Sequence, residues 1–238
     1  MFVRKTLFFM CIFLISCAHV PLQAGGEESV IVVHGFARRA RSMNQIATAV
    51  HQAGYEVRNV DYDSINKNLN DIKEEIYSKF DQYIFENPGK KIHFIGHSLG
   101  GLLVRAYLAE NKLDNLGVVI LMGTPNKGTQ LVNQYEDKWY FSWLGPVIPE
   151  LGVGNSQFLD ALQMPDYTVG VIAGSKPYSR RSAKYLEGDH DGLVTVESAK
   201  LEGMHDFIEI EVNHSRMKRD PIVIEQVIYF LENSQFKK

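Results

Sequence analysis

Ile92-His-Phe-Ile95 is a short apolar run, Gly96-His97-Ser98-Leu99-Gly100 follows it at once, and Leu99-Gly-Gly-Leu-Leu-Val-Arg-Ala-Tyr-Leu108 continues as an apolar helical stretch. This predicts a strand over 91–95, a turn at Ser98 and a helix over 99–109. The pentapeptide alone is a weak signal, and its setting between a strand and a helix makes it specific. So sharp a turn holds the serine in a strained conformation, and glycines two residues to either side remove Cβ atoms that would collide there. The hydroxyl then stands above the carboxyl end of the strand, at the start of the helix.

The flanking segments repeat the alternation. Val30-Ile-Val-Val33 is continuous, apolar and β-branched, as in a strand buried on both faces. Arg41 to Ala53 carries Met43, Ile46, Ala47 and Val50 at helical spacing and stops at Gly54. Tyr55–Val60 reads as a strand, and 68–86 as an amphipathic helix with Leu69, Ile72, Ile76 and Phe80 on one face. A strand over 117–122, further strands at 167–172 and 207–212, and a closing helix near 221–231 complete the pattern. Strict alternation implies right-handed crossovers and a mostly parallel sheet with helices on both faces, an α/β class. It breaks between Pro125 and Asp166, where both tryptophans fall with Tyr140, Phe141 and Ile148. A connection that long is expected to form a cap-like insertion, at about 126–165, over the sheet edge.

The chain has 238 residues, enough for one domain with a full core. A formal charge of −3, or about −5 without Arg4 and Lys5, gives no basic excess for binding nucleic acid. Residues 1–17 have a basic start, an apolar run from Leu7 to Ile15 and small residues after it, the pattern of an export signal. That run is shorter than the roughly 20 residues a spanning helix needs. Leu14-Ile15-Ser16-Cys17 also resembles a lipobox, which would acylate Cys17 and tether the protein to a membrane. Plain cleavage, after Ala18 or near Ala24, is the alternative. Residues 18–29 read as a linker and 30–238 as the folded domain. The expectation is therefore an exported protein, either a periplasmic or outer-membrane lipoprotein or a secreted one. Cys11 and Cys17 are the only cysteines, so the remainder can hold neither a disulfide nor a thiol nucleophile.

A serine needs a base to take its proton, and the base needs a carboxylate to orient it. Where a serine sits on such an elbow, the acid and then the base follow it along the chain. Of the later histidines, His214 lies just past the last strand, on the carboxyl edge where Ser98 is expected. His205 precedes that strand, and His190 adjoins the candidate acids. Asp189 and Asp191, in Gly188-Asp-His-Asp-Gly-Leu-Val194, are both candidates for the acid. Backbone N–H groups of Leu99 and of Phe36, in Val33-His34-Gly35-Phe36, are the expected oxyanion donors. His34 is expected to brace that loop by hydrogen bonding.

Val-Val-His-Gly-Phe at 32–36, Gly-His-Ser-Leu-Gly-Gly at 96–101, Gly-Thr-Pro-Asn-Lys-Gly at 123–128 and His-Asp-Gly-Leu-Val at 190–194 before Val-Asn-His at 212–214 resemble the bacterial lipase and esterase branch of the α/β-hydrolase superfamily. The resemblance implies an α/β-hydrolase fold, with Asp191 rather than Asp189 as the acid. It further implies hydrolysis of carboxylic esters through an acyl-enzyme on Ser98, without a cofactor. Larger members carry an extended helical lid, and some a structural calcium. This chain is compact and shows no clear metal ligand set, which argues against interfacial activation on emulsified fat.

The substrate is then a small-molecule or lipid ester, with Trp139, Phe141 and Trp143 as candidate acyl-binding residues. Core packing under a loop is the competing reading of those aromatics. Thioester hydrolysis or acyl transfer would use the same triad. A non-catalytic binding protein on the same scaffold is a further alternative, although such proteins usually lose one of these elements.

Overall fold

The computed structural model describes residues 27–154, 156–178 and 185–238. The expected export signal, Cys17 and most of the expected linker lie outside the described residues. Among those described, no helix is long and apolar enough to cross a membrane.

Six strands form one sheet in the order β2-β1-β3-β4-β5-β6. They are β1 (Glu28–Val33), β2 (Glu56–Val60), β3 (Lys91–His97), β4 (Leu116–Met122), β5 (Val169–Gly174) and β6 (Asp206–Ile210). Every pairing is parallel. Parallel neighbours need crossovers, and these are helices α1 (Asn44–Gln52), α2 (Leu69–Glu86) and α3 (Leu99–Glu110), with α7 (Pro221–Asn233) closing the chain.

Successive strand residues point to opposite faces, so the sheet divides the core in two. Ile31 and Val33 face Ile72, Ile76 and Phe80 of α2 and Leu102 and Leu103 of α3. Val30 and Val32 face Ile46 and Val50 of α1 and Val223, Val227 and Phe230 of α7. The α2 helix begins where Asn68 caps it by accepting from the Asp71 N–H.

Some element ends differ from the sequence expectation. The first helix opens as a 3-10 turn over Ala40–Met43 and becomes α-helical only at Asn44. β3 runs on to His97, so the strand reaches the serine itself. β5 starts at Val169 rather than Tyr167, because pairing begins at Val119–Val169. β6 stops at Ile210, ahead of the expected Val212, whose N–H turns back to the Ile210 carbonyl at 2.7 Å.

Between β4 and β5 lie two short helices, α4 (Gln130–Tyr135) and α5 (Gln157–Ala161), and two 3-10 turns, Phe141–Leu144 and Ile148–Leu151. This segment lies across the carboxyl edge of the sheet. Thr129 Oγ1 donates to the Leu193 carbonyl beyond β5, while Gly145 lies against the Ile65 carbonyl and the Phe36 ring beyond β2 and β1. Between β5 and β6 a four-residue helix, α6 (Val196–Ala199), follows the Asp191 turn.

Candidate active site

Ser98 sits between β3 and α3 with φ 57° and ψ −126°. Only Ala37, Ser98 and Ser234 are non-glycine residues with positive φ among those described. Ser234 ends α7 in the left-handed region, an ordinary helix stop. The other two flank the site, Ala37 directly after Phe36. Each such residue costs on the order of 1–3 kcal/mol and persists only where its surroundings enforce it.

Those surroundings are backbone. A Cβ on Gly100 would lie 2.4 Å from the His34 carbonyl oxygen, and one on Gly96 would lie 2.5 Å from the Gly101 Cα. The two glycines therefore serve close approach of α3 to β1 and β3, while the unusual φ falls on the serine. Leu99 opens α3, and the N–H groups of a helix's first turn have no intrahelical acceptor.

The Phe36 loop is held from beneath. His34 is fully buried and stacks on Tyr62 with ring centroids 4.2 Å apart. Its Nδ1 lies 2.8 Å from the Gly35 carbonyl, its Nε2 lies 3.3 Å from the Tyr62 N–H, and the Tyr62 hydroxyl donates to the His34 carbonyl at 2.8 Å. Asp61 Oδ1 also lies 3.4 Å from Nε2, but the Tyr62 N–H needs Nε2 as an acceptor, which a neutral ring donating from Nδ1 provides. Burial lowers the His34 pKa, in keeping with that neutral form. His34 thus braces the loop, as expected. Tyr62 and Ser64, whose Oγ accepts the Ala37 N–H at 3.0 Å, carry no local sequence signal for this task.

Asp191 and His214 are brought together. Asp191 is 1% exposed, and its Oδ2 lies 2.6 Å from His214 Nδ1. Its Oδ1 accepts the N–H groups of Leu193 and Val194 at 2.9 and 2.8 Å. The Asp-Gly-Leu-Val turn thereby fixes one carboxylate oxygen and aims the other at the imidazole. The His214 N–H also donates to the Asp191 carbonyl at 3.0 Å. Asp189 is exposed, and its carbonyl is occupied by the Val196 N–H. His190 is buried and accepts the Gly192 N–H, and His205 is exposed before β6, at the opposite edge.

Two residues here escaped sequence reasoning. His97, within the elbow, donates from Nε2 to the His214 carbonyl at 3.0 Å, with the two rings 4.7 Å apart. Gly123 directly follows β4 with φ 54°, and a Cβ there would lie 3.1 Å from Asp191 Oδ2 and 3.2 Å from His214 Nδ1. Its place in Gly-Thr-Pro after a buried strand is the one signal that could have pointed to it.

The aromatic insertion separates into two kinds of residue. Phe141 is half-buried and packs on the larger core cluster. Trp139 and Trp143 are 76% and 73% exposed and meet edge-to-face at 4.9 Å. Core packing accounts for Phe141 but not for the tryptophans. Among the described residues no group of three or more His, Cys, Asp or Glu side chains is arranged to hold a metal ion.

A strained serine at a strand-to-helix turn, a carboxylate-oriented histidine and a braced loop at the same sheet edge can together support acyl transfer. The family model for palmitoyl protein thioesterase matches residues 29–168, a span that holds Phe36, Ser98 and Leu99 and ends before Asp191 and His214. The chain is 29% identical over 116 residues to the lysosomal thioesterase PPT2-B of Xenopus laevis, covering 47% of this chain and 40% of that protein. The mature lipase BlEst2 of Bacillus licheniformis shares the fold at a TM-score of 0.71 and 19% identity, over 87% of this chain and 91% of that one. The esterase EaEST of Exiguobacterium antarcticum does so at 0.62 and 14%, over 88% and 94%. The architecture is that of the α/β-hydrolases.

Proposed function

This chain belongs to the palmitoyl protein thioesterase family, and from that premise we propose that it is a serine hydrolase that cleaves acyl esters through an acyl-enzyme on Ser98. The observation that carries the reading is the Asp191–His214 pair at 2.6 Å, on the sheet edge where Ser98 stands at the end of β3. In this mechanism His214 takes the Ser98 hydroxyl proton as Oγ attacks the acyl carbonyl. Asp191 holds the imidazole by its Nδ1–H and stabilises the imidazolium that forms. The Phe36 and Leu99 N–H groups receive the developing oxyanion. The protonated histidine gives its proton to the departing alcohol or thiol, and a water activated by the same base then releases the acid.

The family match and the thioesterase relative favour a thioester as the bond cleaved, with oxygen esters open to the same residues. The exposed tryptophan pair, in the insertion whose Gly145 lies against the Phe36 ring, supports an apolar acyl chain. Export, with Cys17 as a lipid tether, belongs to the same proposal. Mass analysis of the mature N-terminus tests it, since an unmodified N-terminus beyond Cys17 would remove the tether.

Labelling by a fluorophosphonate tests the central claim. Wild-type protein should label, and Ser98→Ala and His214→Ala should not. Folded wild-type protein that resists the probe would sink the triad. Matched oxygen ester and thioester substrates with one acyl chain then rank the two bonds.

A further inference from the structure

Beside the candidate centre lies an open cavity of about 480 Å³ whose charged lining is entirely basic: Arg38, Arg41, Lys218 and Arg219. It joins the two ends of the proposed machinery. Arg38 stands two residues past Phe36, and Lys218 four past His214. Arg41 and Arg219 come from two 3-10 turns, Ala40–Met43 and Met217–Arg219, that pack against each other.

These charges lack counter-ions, although their chain neighbours have them. Arg39 pairs with Asp61 at 3.3 Å and Arg216 with Asp220 at 3.4 Å. Among the described residues, none of the four forms an ion pair. Arg38 Nη1 donates to the Ala37 carbonyl and Lys218 Nζ to the Ser215 carbonyl at 2.9 Å. Lys218 is 7% exposed, and burial, with Arg38 and Arg219 beside it, pulls its pKa down to about 8. A buried ammonium among like charges destabilises the fold unless something negative joins it.

We propose that Arg38, Arg41, Lys218 and Arg219 form an anion site that holds a phosphoryl group carried on the leaving group of the acyl substrate. The assignment to a leaving group rests on the acyl-hydrolase reading above; the anion site itself does not. Guanidinium forks match the oxygens of a phosphate, and the lysine adds a compact charge on the cavity floor. The placement is consistent with the other surfaces: the tryptophan segment crosses the edge at Phe36 and Ile65, while the basic cavity lies toward α1 and the turn before α7. A substrate with an apolar acyl chain and a phosphorylated alcohol or thiol would span both. Its source is either a soluble phosphorylated thiol or a phospholipid headgroup.

The full chain and the double variant Arg41→Gln/Arg219→Gln test this. Both arginines are exposed, so folding should be unchanged, as checked by thermal melting. Calorimetry with pyrophosphate should show binding to wild type that weakens about tenfold or more in the variant, as loss of charged hydrogen bonds predicts. With one acyl chain throughout, KM should rise by about the same factor for a coenzyme A thioester or a lysophospholipid, and not for the p-nitrophenyl ester. A change confined to the thioester identifies a soluble phosphorylated thiol, and one confined to the lysophospholipid identifies a headgroup. Calorimetry needs no turnover, so binding lost in the variant supports the anion site even where no ester is cleaved. Wild type that ignores pyrophosphate, or a variant equally impaired on all three substrates, overturns it.

Discussion

His97 Nε2 donates to the backbone carbonyl of His214 at 3.0 Å, so the residue before the proposed nucleophile is tied to the proposed base. The contact joins the end of β3 to the loop after β6 across the carboxyl edge. It makes His97 a positioning residue. His97→Gln keeps a donor at similar reach and should retain most activity. His97→Ala should lower kcat more than it raises KM, measured on a soluble p-nitrophenyl ester.

The acid can be separated from its neighbour two residues away. Asp191→Asn leaves the shape but removes the charge proposed to stabilise the imidazolium, and should lower kcat by about 10⁴-fold. Asp189→Asn alters an exposed side chain and should stay within about twofold of wild type. Steady-state rates of the two variants decide it, and equal losses would reassign the acid.

Strain at the elbow predicts an order of stability among inactive variants. Ser98 has φ 57°, where alanine is as strained as serine and glycine is not. Ser98→Gly should therefore be more stable than Ser98→Ala by about 1 kcal/mol. Urea unfolding midpoints of the two proteins measure the difference.

Three buried histidines set a pH dependence of stability. Burial lowers the pKa of His34, His93 and His97, most strongly for His97, which also faces His214 and Lys218. In the unfolded chain each titrates near about 6.5. As pH falls below that value the unfolded chain binds protons the folded chain refuses, so stability drops until the folded pKa is reached. The slope is about 1.4 kcal/mol per pH unit for each such proton. Unfolding midpoints should be lower at about pH 5.5 than at about pH 7.5. The gap should narrow in His97→Gln.

The aromatic insertion should split by function. Trp139→Ala with Trp143→Ala should change stability by less than about 0.5 kcal/mol, since both rings are exposed. It should reduce kcat/KM on long-chain substrates by roughly tenfold and leave short-chain ones unaffected. Phe141→Ala should instead cost about 2 kcal/mol of stability, because that ring packs on the core. Denaturant unfolding beside an acyl-chain series distinguishes the two outcomes.

Residues 92–109 were readable on their own because strand, turn and helix signals there are all local. His214 was readable for a related reason, since a histidine just past a parallel strand lies on the carboxyl edge. Asp191 and Asp189 differ in nothing the sequence states physically. The choice depends on the Leu193 and Val194 N–H groups that turn one carboxyl inward and leave the other in solvent. The ends of β5 and β6 belong to the same class, because pairing with a neighbour sets where a strand begins and stops.

The parallel sheet, the elbow serine and the candidate base follow from apolar periodicity and short-range order, and the chain carries these wherever it goes. Tertiary structure alone exposed Trp139 and Trp143, tied His97 to His214, and gathered Arg38 and Arg41 with Lys218 and Arg219. Those pairings join segments far apart in the chain. No local pattern encodes them, since burial and electrostatic contact depend on which surfaces the packed sheet brings face to face.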